Sequence, residues 1–301
     1  MIRCVTLAWL ALLPGCSQFG RRSPASLDGA RYTVGDPYQA GGVWYYPREQ
    51  LRYVATGLAT VVADHKGRTA DGEAFDASAL AASHQTLQLP AVVIVTDLDN
   101  GRAVRVRLND RGPGSPSRLI ALTSHAAALL QAGGGARVRL DLDEAMTHAL
   151  AEQLGGGPKI DVTPAPLGEV RTETLALPTG AAQSRRVRQA VSLAPPPPPR
   201  PVSLVTVPAR LPDTVAQTPP EPGRLFIRSD EFGRAEYARR SAARLGGTVE
   251  CVHRGRTDAY RVRAGPYATV PEADAALDRA HLAGVFDARI VVEFDARIVV
   301  E

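Results

Sequence analysis

The sequence predicts a mainly β fold, a compact barrel over residues 53–154, followed by a smaller α+β unit over residues 223–301. Short apolar or alternating runs, separated by Gly, Asp and Asn turns and accompanied by few helices, are the pattern of a closed β domain. Residues 155–222 lose that periodicity and gain prolines, Pro195–Pro199 among them, which is the composition of a disordered linker. The final stretch orders as strand, helix, strand, strand, helix, strand, the ferredoxin-like arrangement.

Residues 1–16 read as a lipoprotein signal peptide. Arg3 supplies the positive start, Val5–Leu13 the apolar run, and Leu13-Pro14-Gly15-Cys16 the small residues before a cysteine that lipoprotein processing accepts. The apolar run is far short of the roughly 20 residues that a spanning helix needs. Cleavage leaves Cys16 as the acylated N-terminus, and Ser17 after it suits sorting to the outer membrane. Residues 17–52 form a lead-in, polar and then aromatic, with Tyr32, Tyr38, Trp44, Tyr45 and Tyr46 around Gly-Asp-Pro and Gly-Gly. Few helix or strand signals mark it, so it is expected to run extended against the domain that follows.

Within 53–154, strands are predicted at Gly57–Val62, Ala91–Thr96, Ala103–Leu108 and Arg137–Leu140, with Asp99-Asn100-Gly101 as a hairpin turn. Thr123-Ser124 cap a helix over Ala126–Gln131 that Gly133 stops, and Glu144–Leu154 closes the domain as a second helix. A fully flexible linker over 155–222 has a root-mean-square span on the order of 45 Å, a reach that lets two binding modules engage separate sites. In the last unit, strands are predicted at Arg224–Arg228, Thr248–His253, Ala259–Ala264 and Phe286–Glu293, and helices at Arg234–Leu245 and Pro271–Ala283. Residues 294–301 duplicate 286–293, Phe-Asp-Ala-Arg-Ile-Val-Val-Glu; one fold needs one terminal strand, so no function is assigned to the second copy.

The net charge of +4 invites a nucleic-acid reading until it is divided by region. Residues 1–52 carry 6 basic and 3 acidic groups, 53–154 carry 9 and 11, 155–222 carry 7 and 5, and 223–301 carry 13 and 12. Neither folded unit has the cationic surplus that releases counterions from phosphate. The positive balance lies in the tail and linker, where it favours anionic lipid or wall polymers. With Cys4 cleaved and Cys16 lipidated, Cys251 is left alone, so no intramolecular disulfide forms. The alternation Thr248-Val249-Glu250-Cys251-Val252 reads Cys251 as a small buried hydrophobe. No paired Cys or His spacing suggests zinc, and neither a metal nor a cofactor is expected. His65 and His125 are read as surface residues without partners.

Three polar signatures lie between the apolar runs: Gly67-Arg68-Thr69-Ala70-Asp71-Gly72-Glu73, Ala81-Ala82-Ser83-His84 and Asn109-Asp110-Arg111-Gly112-Pro113. Together they resemble the barrel domain of the rare lipoprotein A (RlpA) family, which implies a six-stranded double-psi β-barrel and lytic transglycosylase activity on peptidoglycan. Tyr260–Tyr267 (Tyr-Arg-Val-Arg-Ala-Gly-Pro-Tyr) resembles the second signature of SPOR domains, and Arg224–Arg228 the first, with Arg228 where glutamine is usual. That resemblance implies a module binding glycan strands stripped of stem peptides at the division septum. The partners so implied are peptidoglycan strands, the membrane through lipid on Cys16, and divisome proteins, with no nucleic acid. The location implied is the periplasmic side of the outer membrane, enriched at the septum.

Cutting the bond between N-acetylmuramic acid and N-acetylglucosamine requires a proton donor for the leaving oxygen and stabilisation of an oxocarbenium-like transition state. In a lytic transglycosylase the nucleophile is the sugar's own 6-hydroxyl, so one carboxyl acts first as acid and then as base, leaving an anhydro end. The resemblance assigns the essential roles to Asp110, Glu73 and His84, with Asp110 as acid/base; Arg111, Arg68 and Thr69 are the neighbouring candidates for binding substrate. A proton-holding acid needs burial, and Arg111 would oppose it on contact, so Arg111 is expected to point away, toward substrate. The plainer readings are that Asp110 caps the turn at Gly112-Pro113, that Glu73 is an exposed turn residue and that His84 is structural.

The chain also departs from the family. Ile120-Ala121-Leu122-Thr123 stands where Ile-Asp-Leu-Ser is usual, Thr60-Val61-Val62-Ala63 replaces Ser-Trp-Tyr-Gly, and Gly114 replaces an aromatic residue. An alternative therefore stays open: a catalytically weak or inactive peptidoglycan-binding scaffold on the same fold. RNA binding by the C-terminal unit is disfavoured by the near balance of charge over 223–301.

Overall fold

The computed structural model describes residues 27, 29–156, 207–255 and 257–294. The signal segment with Cys16, the proline run and residues 295–301 of the repeat lie outside them. The lead-in is not wholly extended: β1 (Tyr38–Ala40) and β2 (Val43–Tyr45) form a hairpin across Gly41-Gly42. One face of it, Tyr38 stacked on Tyr45 at 5.5 Å, packs on the following domain, as expected, while Trp44 on the other face is exposed.

That domain is a six-stranded barrel made of β3 (Val54–Val61), β4 (Ala81–His84), β5 (Ala91–Asp97), β6 (Arg102–Asp110), β7 (Ile120–Leu122) and β8 (Arg137–Leu142). Neighbours run β4-β7-β3-β8-β5-β6, and a parallel β4–β6 pairing closes the ring. A second parallel pairing, β3 with β7, gives the two interlocked crossings of the double-psi form. β-Branched and leucine side chains fill the interior, Val93, Val95, Val106, Leu108, Ile120, Leu122 and Leu140 all being fully buried. Helix α1 (Ser124–Leu130) starts where Thr123 accepts from the Ala126 N–H, and ends at Gln131 in the left-handed conformation, two residues before Gly133. Helix α2 (Glu144–Gln153), capped by Asp143, lies on β5, where the Thr147 hydroxyl bonds both the N–H and the C=O of Val92.

The expected linker ends earlier than composition indicated. Residues 207–222 lie along the barrel: Val207 and Leu211 are buried in its core, and β9 (Val215–Gln217) pairs with Arg102–Val104 of β6. β4 covers only the last residues of β6, so its first residues present a free edge that β9 fills. Prolines at 208, 212, 219, 220 and 222 gave this strap the composition of a linker and hid it. His125, expected to have no partner, faces Asp213 of the strap at 3.0 Å.

The C-terminal domain consists of β10 (Arg224–Arg228), α3 (Ala235–Leu245), β11 (Thr248–Arg254), β12 (Thr257–Tyr267), α4 (Val270–Leu282) and β13 (Arg289–Glu293). Its sheet is antiparallel in the order β11-β12-β10-β13. Cys251, expected to be buried, is exposed on the edge strand β11. Alternation gave its face correctly but not how far along the strand the helix covers that face. Cys251, His253 and Asp258 bring their ligand atoms within 4.8 Å of one another across the hairpin, a grouping that linear spacing did not flag. No helix of the described residues is long and apolar enough to cross a membrane.

The two domains share a core. Leu58 of β3 and Leu98, both facing out of the barrel, are buried among Ile227, Leu277, Ile290 and Val292. The Thr56 hydroxyl donates to the Val292 carbonyl (2.5 Å) and accepts from its N–H (3.2 Å), so the barrel satisfies the open edge of β13. Arg118 makes a bidentate pair with Asp274 of α4, at 2.7 and 3.0 Å. Gly57 lies beneath this contact: a Cβ there would stand 2.8 Å from the Cβ of Leu119 within the barrel and 3.4 Å from the Ile290 carbonyl oxygen. Leu58→Ala is therefore expected to cost about 2–4 kcal/mol and to loosen the C-terminal domain. Urea unfolding with hydrogen exchange at the Val292 amide measures both, and unchanged protection there would show that Leu58 does not hold the domains together.

Candidate active site

The parallel pairing of β4 with β6 sets the site, because Ser83 stands opposite Asp110 at the strand ends. Asp110 is half-buried, and its Oδ1 accepts from the N–H groups of Ala70 (2.9 Å) and Arg111 (2.8 Å). Both bonds go to Oδ1, and among the described residues none reaches Oδ2. The capping reading and the chemical reading of Asp110 thus describe different oxygens of one carboxylate.

Arg111 points away from Asp110, as electrostatics required, but not to the solvent. Its guanidinium donates to the carbonyls of Leu87 (2.5 Å), His84 (3.4 Å) and Val34, clamping the lead-in to the loop after β4. His84 is buried beneath it. Its Nδ1 accepts from the N–H groups of Thr86 and Leu87, both at 3.2 Å, so the proton is assigned to Nε2, 3.2 Å from the Tyr53 hydroxyl. Burial, reinforced by Arg111, pushes the imidazole down to about 3, and burial pushes the Tyr53 phenol up to about 12. His84 is neutral at any physiological pH, with both nitrogens occupied.

Glu73 is not an exposed turn residue. It is 3 % exposed, and its Oε2 accepts from Arg107 Nη2 (2.8 Å) and Asn109 Nδ2 (3.0 Å), while Oε1 is buried without a partner among the described residues. The strap seals this pair, since Arg107 Nη1 donates to the Ala209 carbonyl at 2.7 Å. Thr69 is also turned inward, donating to Asp71 at 2.6 Å, whereas Arg68 is exposed and donates to the Gly72 carbonyl at 2.6 Å. The structure places Glu73 on Arg107 and Asn109 of β6, Asp110 at the end of that strand and His84 at the end of the neighbouring β4, with no hydrogen bond among the three side chains.

Asp71 went unnoticed in the sequence. It is fully buried, Oδ1 takes the Thr69 hydroxyl and the Glu73 N–H, and Oδ2 has no partner among the described residues. Desolvation, its largest influence, pushes the carboxyl up to about 6. Only its place inside a glycine-turned polar loop, between Thr69 and Glu73, could have drawn attention to it. Ala121, on β7, is buried between Thr60 of β3 and Ser83 of β4, so no carboxylate stands at that point of the wall.

Comparison with known proteins follows the same division of the chain. A family model described as Lytic transglycolase matches residues 54–156, and a SPOR domain model matches residues 227–291. The endolytic peptidoglycan transglycosylase RlpA of Pseudomonas aeruginosa (strain PAO1) is 31 % identical over 273 residues, covering 85 % of this chain and 76 % of that protein. Its counterpart in strain UCBPP-PA14 is 32 % identical over 276 residues, with the same coverage. The chain belongs to the RlpA family. The RlpA of Escherichia coli O157:H7 is 39 % identical over 112 residues, 36 % of this chain and 31 % of that protein. The six-stranded barrel and the C-terminal SPOR domain expected from the motifs are the ones observed.

The raised Asp71 carboxyl has a thermodynamic consequence. Between about 3.8, its ordinary value, and about 6, the folded state binds the extra proton, so this group's contribution weakens stability as pH rises through that window. The shift corresponds to at most about 3 kcal/mol. Asp71→Asn is expected to stabilise the chain at pH ~7 by about 1–3 kcal/mol and to change little near pH ~4; urea unfolding at both pH values decides it. A variant less stable at neutral pH would show that the buried charge is needed.

Proposed function

We propose that this RlpA-family chain is an endolytic peptidoglycan lytic transglycosylase. It cleaves the bond from N-acetylmuramic acid to N-acetylglucosamine in peptide-free strands and leaves 1,6-anhydro ends. The observation that carries this reading is the divided role of Asp110, one oxygen fixed by two backbone N–H groups and the other uncommitted. A carboxyl so held protonates the leaving glycosidic oxygen through Oδ2, then takes the proton of the 6-hydroxyl as that oxygen closes on C1. No water has to be placed and no metal is called on.

Glu73 and His84 act by position in this reading. Glu73, through Arg107 and Asn109, holds the 67–73 turn that presents the Ala70 N–H; His84 and Arg111 hold the opposite wall. Arg68, exposed beside the turn, is the remaining candidate for contact with substrate, and Thr69 belongs to the turn's interior. The names of the relatives and the two domain matches support wall association in the periplasm. Anchoring through lipid on Cys16, residence in the outer membrane, enrichment at the septum and divisome partners are parts of the same proposal, supported by the signal pattern and the SPOR domain.

A second reading keeps the wall binding and drops the chemistry. Ala121 in the wall and the sealed Glu73 favour it. Digestion of purified peptide-free strands separates the two. Fragments one water lighter than reducing ends are expected, and Asp110→Asn should lower turnover by about 10²–10⁴-fold while leaving retention on the strands intact. Intact strands that remain bound to the unaltered chain would establish the scaffold reading instead.

A further inference from the structure

The SPOR domain holds a second polar site that the barrel chemistry does not use. A cavity of about 320 Å³ lies between α3 and the segment leading into β13, lined by Phe232, Tyr237, Arg240, Ser241, Arg244 and Asp287. Positions 237, 240, 241 and 244 form one stripe of α3, the i, i+3, i+4, i+7 pattern that points a single face at one place. That face is not apolar, as a core-facing stripe would be. Ser241 is 9 % exposed, and its hydroxyl has no partner among the described residues, not even the helix carbonyl that a buried serine ordinarily takes.

Both arginines of the stripe are exposed. Arg240 lies over the Tyr237 ring at 5.7 Å, and neither Arg240 nor Arg244 forms an ion pair among the described residues. Like charges four apart on a helix repel, so the pair stands at a cost that a bound anion removes. Asp287, the one acid of the lining, has its Oδ2 occupied by the Asp230 N–H at 3.1 Å. An orphan buried hydroxyl beside two guanidinium groups that no carboxylate of the described residues pairs is a donor set without an acceptor, and the forked guanidinium geometry matches a carboxylate. The Phe232 and Tyr237 rings supply flat apolar faces beside it. The volume is at the lower end of small-ligand pockets, which fits a single sugar-sized group rather than a length of polymer.

We propose that this cavity is a carboxylate subsite of the SPOR domain, taking an acidic group borne on one wall residue. It rests on the wall-binding part of the proposed function and is independent of the barrel's catalysis. Within peptidoglycan such a carboxylate has two sources, the lactyl group of muramic acid freed of its peptide and the C-terminus of a stem peptide. The lactyl group is favoured because it is borne on a ring that the aromatic faces can cover.

The test is an NMR titration of the whole chain with three probes, following the amide signals of residues 240, 241 and 244 and the arginine Nε–Hε signals. N-acetylmuramic acid is expected to shift them saturably and N-acetylglucosamine, which lacks the lactyl carboxylate, to leave them in place. D-alanyl-D-alanine acting in place of the muramic probe would keep the subsite and assign it to stem peptides. Arg244→Ala should weaken the effective probe by about 10-fold or more and Ser241→Ala by several-fold, with thermal unfolding unchanged and Arg244→Lys recovering part of the loss. Signals that stay still with both acids, or that move as much with N-acetylglucosamine, overturn the proposal. Anhydro-product formation measured on the same samples reports the barrel separately, so either reading can fail alone.

Discussion

The parallel ladder between β4 and β6 is the interaction on which the rest of this molecule depends. It closes the barrel, and through the register of Ser83 with Asp110 it brings the ends of two strands distant in sequence to one rim. A slip of one residue would turn Asp110 to the other face of β6 and exchange it with Asn109. The loops leaving those strand ends, Arg111–Leu119 and Gln85–Pro90, then have fixed roots. Arg111 ties them together by donating to the carbonyls of His84 and Leu87. The clamp uses a full charge to bond neutral carbonyls, which is affordable because the guanidinium remains half-buried rather than sealed.

Behind that rim lies a knot of buried polar groups: Asp71, Glu73, Arg107 and Asn109. A buried ion pair adds little net stability, because desolvation offsets most of its attraction, but removing one partner costs about 3–5 kcal/mol. Such a pair therefore specifies a geometry more than it strengthens the fold. Here the geometry is that of the 67–73 turn, whose Ala70 N–H holds Asp110. The importance that resemblance attaches to Glu73 is thus compatible with a residue that touches no substrate. Asp71 Oδ2 and Glu73 Oε1, without partners among the described residues, mark the knot as held together at a cost rather than at its own optimum.

Much of this was legible along the chain. Strands with strict alternation or β-branched runs, such as Ala91–Asp97 and Arg224–Arg228, and helices with clear caps were recoverable because one short-range period determines each. The barrel's closure was not, since β4 and β7 are only four and three residues long and are made strands by their neighbours. Asp110 could be singled out, yet the burial of Glu73, Thr69 and His84 could not, because it comes from a strap more than a hundred residues away and from the lead-in. Cys251 failed for the converse reason: alternation reports which way a side chain points, and only the packing of α3 reports whether anything lies over it.

The strap also changes what the proline-rich segment can do. A linker read as joining two modules would set their separation, but this one leaves the barrel at Gly156 and is back on it by Val207. Both ends of residues 157–206 therefore belong to one domain. The actual joint runs from β9 to β10, and it is pinned: Thr218 and Glu221 donate their N–H groups to the carbonyls of Gly101 and Leu98, and the Gly223 carbonyl accepts from Arg137. With the β13 edge satisfied by Thr56, the SPOR domain is held at one distance and orientation from Asp110. The separation of the two domains is thus set by these contacts rather than by the reach of a flexible linker.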